Sequence, residues 1–325
     1  MKAIVQDRYG PPELLRYADV ERPAPAGGEV LVRVRAAALN HGDRVDLRGN
    51  PSIARLALGV RRPRIPIPGR AVAGTVEAAG TGVTALRPGD EVFGETVKRG
   101  FAEYVAVPAA DLAVKPAGLT FEQAATLPVA ATTALQALRL AGADGGGPPR
   151  RVLVNGASGG VGTFAVQLAI DFGHEVTAVC SARNAERATA LGAAHVVDYA
   201  VEDVTRGTDR FDVIVDLAGG HPLSAMRRLL APDGVYVAST GNGGPVLGPV
   251  PLLLAVLATA PLRGGRLRVL TARRSAEDLA TLAALVEAGR LTPYVERTRP
   301  LRETADALRV LETEHARGKT VLTVA

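Results

Sequence analysis

The run Arg151-Val152-Leu153-Val154-Asn155-Gly156-Ala157-Ser158-Gly159-Gly160-Val161-Gly162 joins a short apolar strand to a glycine-rich turn, and Thr163 to Phe172 continues it as an amphipathic helix. That arrangement holds a dinucleotide pyrophosphate. Gly159 and Gly162 have no Cβ, so the backbone can approach phosphate oxygens and the helix can pack closely on its strand. Free N–H groups at the helix start then face the anion. Aligned by its end, the run is A-x-G-x-x-G, with Ala157 where the usual fingerprint has its first glycine. A surface turn would show similar glycines, but the strand before it and the helix after it favour a nucleotide loop. At the end of the second strand an NAD-specific fold places a carboxylate on the ribose 2′-hydroxyl. Here the chain reads Cys180-Ser181-Ala182-Arg183. A hydroxyl and a guanidinium can bind a 2′-phosphate that a carboxylate would repel, so Ser181 and Arg183 point to NADP(H). The alternative is that Arg183 is a solvated residue opening the next helix.

The elements that must position these groups fall into two patterns. From Met1 to about Gly118 the apolar runs are short and punctuated by turns: Val30 to Leu39, Val72 to Ala78, Glu91 to Phe93, Ala102 to Val107 and Leu112 to Lys115. Short strands separated by Pro and Gly predict an antiparallel β domain. After Thr120, strands alternate with helices of ten or more residues, the pattern of a doubly wound parallel sheet. Its strands are expected at Val152 to Asn155, Glu175 to Cys180, His195 to Asp198, Asp212 to Asp216 and Val235 to Ser239, with helices centred near 167, 188, 226 and 283. Beyond Leu291, a helix from Thr304 to His315 and a strand from Lys319 to Val324 are expected to pack back on the first domain. The α/β reading therefore assigns 1–122, completed by 272–325, to the β domain and 123–271 to the parallel-sheet domain. The segment Leu247 to Leu262 is nearly all apolar and too short to span a bilayer. It reads as a buried or subunit-interface helix, as a wall of an apolar substrate pocket, or as a membrane-surface contact.

A chain of 325 residues is long for one core, which agrees with two domains. Its net charge of +5 comes from 34 Arg against 4 Lys, scattered without a basic stripe or interleaved aromatics, so nucleic acid is not an expected partner. A single cysteine, Cys180, excludes an intramolecular disulfide and any multi-cysteine metal site. Met1-Lys2-Ala3-Ile4-Val5 reads as a first strand rather than a secretory signal. A reducing cytoplasm is the expected compartment, and a homodimer the expected assembly.

Several separated pieces point the same way: the glycine loop, Arg87-Pro88-Gly89-Asp90-Glu91-Val92, the Gly69 to Gly74 segment, and Ala36-Ala37-Ala38-Leu39-Asn40-His41-Gly42-Asp43. Together they resemble the medium-chain dehydrogenase/reductase superfamily, and most closely its zinc-independent quinone oxidoreductase branch, over essentially the whole chain. The resemblance implies a GroES-like first domain, a Rossmann second domain and an active site in the cleft between them. Where zinc-dependent relatives carry a metal-binding cysteine this chain has Asn40, and where they read G-H-E it reads Gly69-Arg70-Ala71. A catalytic zinc needs about three Cys, His or carboxylate ligands, so no metal is expected; a lone His41 in a loop reads as hydrogen-bonded or exposed. The same resemblance puts Thr133 on the nicotinamide ribose, Ser158, Gly159, Gly160 and Val161 on the pyrophosphate and Tyr199 near the adenosine 2′-phosphate, although for Tyr199 more than for the others the alternative of simply covering the sheet edge stands. It puts Ala218 and Gly219 on the ribose near the fourth strand, and Thr240, Gly241 and Asn242 beside the nicotinamide. Lys319 is expected either to reach the cofactor or to open a surface strand.

Without a metal, a carbonyl must be polarised by hydrogen-bond donors, which favours conjugated acceptors. The expected reaction is hydride transfer from NADPH to a quinone or to the β-carbon of an enone, with the enolate-like oxygen stabilised by the Asn40 side-chain amide. Alternatively, Asn40 only caps its strand end through backbone hydrogen bonds. Asp43 reads as a structural hydrogen-bond acceptor, with nothing adjacent in sequence to raise its pKa. Enoyl-thioester reductases of the superfamily use a tyrosine shortly after the Asn-like position, and Asp43 to Leu58 contains none. An enoyl-thioester reductase is one competing reading. The other is a non-catalytic NADPH-binding protein that docks a partner or a membrane.

Overall fold

A computed structural model of the chain describes residues 1–239, 244–248, 250–259, 266–314 and 317–325. They form two compact units, Met1–Thr132 with Arg274–Ala325, and Thr133–Arg273.

In the first unit, β1 (Lys2–Val5) and β2 (Arg16–Asp19) form a small antiparallel sheet. The long strand β3 (Glu29–Ala38) then organises the rest. Val30, Val32 and Val34 are fully buried while Arg33 and Arg35 are exposed, the period-two alternation of a half-buried strand. At Ala36-Ala37-Ala38 every residue is buried, and alanines permit close cover on both faces. The strand ends at Ala38, and after Leu39 the chain passes through Asn40, the N-cap of α1 (His41–Arg48). There follow α2 (Arg55–Leu58), β4 (Ala71–Ala79), β5 (Glu91–Glu95), β6 (Tyr104–Pro108), β7 (Leu112–Val114) and α3 (Phe121–Thr126), and α4 (Ala130–Leu140) carries the chain from this unit into the second. β3 pairs antiparallel with both β4 and β6, and α3 packs across β3 and β4.

The second unit carries β8 (Arg151–Asn155), α5 (Gly160–Asp171), β9 (Glu175–Cys180), α6 (Ala185–Ala190), β10 (His195–Asp198), β11 (Phe211–Asp216), α7 (Leu223–Arg228), β12 (Leu230–Ala238), α8 (Gly244–Leu247), α9 (Val250–Thr259) and β13 (Leu267–Val269). The six strands are parallel in the order β10-β9-β8-β11-β12-β13. In order of appearance that is 3-2-1-4-5-6, the doubly wound dinucleotide-binding topology, whose order reverses between β8 and β11. Val152, Leu153, Val154, Val213, Ile214 and Val215 are all fully buried, as central strands covered on both faces must be.

The chain then returns to the first unit with α10 (Ala276–Glu287), β14 (Val295–Pro300), α11 (Thr304–Thr313) and β15 (Lys319–Thr323). β15 lies antiparallel to β3, with Val321 opposite Ala38, and completes a seven-stranded sheet.

Three expectations need correction. α6 and α7 span only six residues each rather than ten or more: Gly192, at φ +98, ends the turn after α6, and Leu229 runs α7 straight into β12. The helix near 283, counted with the strand–helix alternation although the 272–325 boundary puts it in the β domain, is α10 of the first unit, packed on β7. The sixth strand, β13, is only three residues long and gave no periodic signal. The described residues of the apolar segment after β12 lie in α8 and α9 or between them, with Val256 fully buried and Leu254 60% exposed; 249 and 260–262 lie outside the described residues. No helix among the described residues is long and apolar enough to cross a membrane.

Candidate active site

In the second unit the C-terminal ends of β8, β9 and β10 lie side by side, with Asn155 opposite Val179 and Asp198 opposite Cys180. The chain leaves β8 through Gly156 at φ +90. The left-handed residue of the turn is thus Gly156, one place before the fingerprint position, which is why an alanine is accommodated at 157. The later glycines act differently. A Cβ on Gly162 would stand 2.1 Å from Gly156 O and 2.7 Å from the main chain of Ala157, so this glycine lets α5 pack against its own turn. A Cβ on Gly159 would meet only Gly156 O, at 3.4 Å, which leaves that part of the loop open. Ser158, Gly159, Gly160 and Val161 are partly exposed around it, and the first N–H groups of α5 have no intrahelical acceptor. The cradle suits an anion.

Ser181 follows β9, and its Oγ accepts from Asn184 Nδ2 at 3.1 Å. Arg183 is exposed in the short turn Ala182–Asn184. Tyr199 follows β10, and its N–H donates to Cys180 O at 3.2 Å. The fold therefore gathers Ser181, Arg183 and Tyr199 at one corner of the sheet, next to the glycine turn. Thr133 sits on α4 and is 8% exposed. Thr240, Gly241 and Asn242 lie outside the described residues.

At the switch point the sequence concealed a buried network. Asp216, fully buried at the end of β11, accepts from Asn155 Nδ2 at 2.8 Å and from the Gly219 N–H at 2.8 Å through Oδ1, and from Tyr236 Oη at 2.7 Å through Oδ2. Asn155 Nδ2 also donates to Gly219 O at 3.2 Å. Burial and the adjacent carboxylate push the Tyr236 hydroxyl far above its usual range. These three side chains from β8, β11 and β12 fix the turn that carries Ala218 and Gly219. The available signal was an Asn and an Asp closing strands that are otherwise apolar, since buried polar groups need partners.

In the first unit the Asn40 amide is 6% exposed. Its Nδ2 donates to Ala38 O at 3.0 Å, its Oδ1 accepts from Lys319 Nζ, and its backbone N–H donates to Asp43 Oδ2 at 2.8 Å. Lys319 Nζ also donates to Leu39 O at 2.6 Å. Lys319 is 4% exposed, which corrects the surface-strand expectation: β15 is an interior strand at this point, and the amine turns inward. Asp43 is a hydrogen-bond acceptor, as read, but its pKa is not ordinary. Burial pushes it up to about 6, against the lowering pull of the Asn40 hydrogen bond and Arg70; sequence neighbours gave no sign because the cause is desolvation. Beside it, Asp46 binds Arg70 Nη2 at 2.8 Å and Lys98 Nζ at 3.4 Å. His41 is exposed, 3.3 Å from Arg44 Nη2.

A zinc ion does not fit this donor set. The two positions that the family resemblance aligns with zinc ligands hold Asn40, committed to Ala38 and Lys319, and the cationic Arg70. Among the described residues no three His, Cys, Asp or Glu side chains are grouped to hold a metal.

Residues 26–117 match the family described as alcohol dehydrogenase GroES-like domain, and 191–322 the one described as zinc-binding dehydrogenase. The chain is 33% identical over 365 residues to human NAD(P)H oxidoreductase RTN4IP1, mitochondrial, spanning 100% of this chain and 89% of that protein. The chain belongs to the medium-chain dehydrogenase/reductase superfamily. Within it, this chain is 32% identical over 339 residues to the chloroplast envelope quinone oxidoreductase homolog of Arabidopsis thaliana, covering 99% of this chain and 98% of that protein. Escherichia coli quinone oxidoreductase complexed with NADPH superposes with a TM-score of 0.84 at 25% identity, covering 99% of this chain and 100% of that one. This member of the superfamily is thus an oxidoreductase of the quinone oxidoreductase-like branch, with a GroES-like and a Rossmann unit. The cytoplasmic expectation does not stand, because the human relative is mitochondrial and the Arabidopsis relative belongs to the chloroplast envelope. One buried cysteine suits any reducing compartment and carries no address.

Proposed function

We propose that the protein is an NADPH-dependent, zinc-independent reductase of quinones or α,β-unsaturated carbonyls. The observation that carries this reading is the Asn40 environment: a buried carboxamide backed by a lysine amine, at a place where zinc-dependent relatives carry a metal ligand. NADPH, when bound, supplies the hydride. Asn40 Nδ2 uses one hydrogen on Ala38 O, and its second donates to the oxygen on which negative charge develops. Ser158 to Val161 and the N-terminus of α5 hold the pyrophosphate, while Ser181, Arg183 and Tyr199 hold the 2′-phosphate. Thr133, Ala218 and Gly219 position the ribose and nicotinamide, the last two through the Asp216 network. The absence of a tyrosine between Asp43 and Leu58 supports a quinone or enone over an enoyl thioester.

The test is oxidation of NADPH and NADH assayed against quinones, alkenals and enoyl thioesters, with metal analysis of the same preparation. Turnover of quinones or alkenals, faster with NADPH and without stoichiometric zinc, is expected. Preferential turnover of enoyl thioesters, or dependence on zinc, would overturn the reading; tight NADPH binding without turnover of any acceptor would make the protein a non-catalytic nucleotide binder.

A further inference from the structure

Asn40 is held by a residue 279 positions away in sequence. β15 lies antiparallel to β3, and the Leu39 N–H donates to Thr320 O at 2.9 Å, so the register sets Lys319 beside Leu39 and Asn40. An ammonium has three donors and no acceptor, and can therefore face only the oxygen of a carboxamide. Were the Asn40 amide reversed, its NH2 would oppose the ammonium and its Oδ1 would oppose the Ala38 carbonyl. The lysine decides which way round the amide sits. With the oxygen turned inward, Nδ2 carries one hydrogen engaged by Ala38 and one to offer.

We propose that Lys319 is a positioning residue for Asn40, selecting the amide orientation that presents an N–H to the substrate oxygen and polarising that N–H without touching the substrate. The catalytic consequence rests on the reductase reading above; the coupling between the two side chains does not. A cation on Oδ1 draws density from the amide nitrogen, and hydrogen bonds in such a chain strengthen one another. The charged group that faces Lys319 is Asp43 on α1; Asp46 on α1 and Arg70 before β4 face Asp43 in turn, and Lys98 after β5 reaches Asp46. Asp46 is engaged by Arg70 and Lys98, and Asp43 is the carboxylate that acts on Lys319. Burial pulls the Lys319 pKa down from 10.5 to about 8, with Asp43 opposing. Below about pH 8 the ammonium locks the amide. Above it, a neutral amine can accept as well as donate, and the lock loosens.

The test begins with the unaltered full chain. In a nitrogen-15 spectrum the Asn40 side-chain amide pair, assigned with Asn40→Ser, should shift with a midpoint near pH 8, and Lys319→Met should abolish the shift. In kinetics, Lys319→Met should lower kcat about tenfold, the difference between a charge-assisted and a neutral hydrogen bond, while leaving the Kd for NADPH unchanged. The fall in wild-type kcat above about pH 8 should vanish in that variant, and Lys319→Gln, an uncharged donor, should recover part of the loss. An Asn40 amide insensitive to pH in the wild type overturns the proposal without any variant having to fold. So do equal losses in the Met and Gln variants with the wild-type pH profile retained. A wild-type amide that titrates with Lys319 in a protein that turns over none of the acceptors would refute the reductase reading and leave the coupling standing.

Discussion

Asp43 makes a buried carboxyl measurable through stability. It is 1% exposed, Oδ2 accepts from the Asn40 N–H at 2.8 Å, and Oδ1 has no hydrogen-bond partner among the described residues. Burial places its folded-state pKa at about 6 against an ordinary value of 3.8. A folded-state pKa above the unfolded one means that, between these values, the folded chain keeps a proton that the unfolded chain has lost. The stabilising contribution is therefore fully present below 3.8 and lost as pH rises through about 6. The interval from 3.8 to about 6, at about 1.36 kcal/mol per pH unit, amounts to about 3 kcal/mol. Asp43→Asn keeps the shape and an oxygen acceptor for the Asn40 N–H but carries no titrating proton. Whatever its effect at acid pH, the stability of the variant relative to wild type should rise by about 3 kcal/mol between about pH 3.5 and about pH 7. Urea unfolding of both proteins across that range measures it, and groups that titrate alike in both cancel in the difference. A difference that stays flat would refute the argument, and one that falls would show that Arg70 and Lys319 outweigh burial.

Asn40→Ala should lower kcat on the order of 100-fold to 1000-fold, the usual cost of one donor to a developing oxyanion, with NADPH affinity unchanged in a fluorescence titration. Arg183→Ala should raise the KM for NADPH roughly 10-fold to 100-fold, the worth of a hydrogen bond to a charged group, and leave that for NADH almost unmoved; equal effects would remove Arg183 from the 2′-phosphate. Gly162→Ala sets a methyl 2.1 Å from Gly156 O and should destabilise by about 1–3 kcal/mol in thermal unfolding. Gly159→Ala, at φ −72 with 3.4 Å of clearance, should fold normally and lose affinity for NADPH instead.

The parallel sheet was the most legible part of the chain because its central strands are buried on both faces, so Val152 to Asn155 and Glu175 to Cys180 stand out as continuous apolar runs between turns. What failed there failed for local reasons. α6 and α7 are too short to show a helical period, and β13 is held by pairing with β12 rather than by its own pattern. The nucleotide corner was half legible. Glycine spacing marked the loop, but only backbone geometry shows that Gly156 is the left-handed residue, Gly162 the packing residue and Gly159 the open one.

The chemistry proposed for Asn40 rests in the sequence on a resemblance alone, and the energetics of its surroundings were not legible at all, because these come from a strand register that joins the two ends of the chain. Lys319 and Asn40 meet because Val321 pairs with Ala38. A pairing offset by one residue would turn Lys319 to the other face of the sheet and leave the Asn40 oxygen without its donor. The same burial that draws the Lys319 pKa down draws that of Asp43 up, so one desolvated corner holds an acid and a base each displaced toward neutrality. Replacing either charge should therefore move the apparent pKa of the other: Lys319→Met removes the cation that lowers Asp43, and Asp43→Asn removes the anion that raises Lys319. The reaction proposed for this corner and the cost of folding it have one physical source, the removal of water from a lysine, an amide and a carboxyl that the sheet brings together.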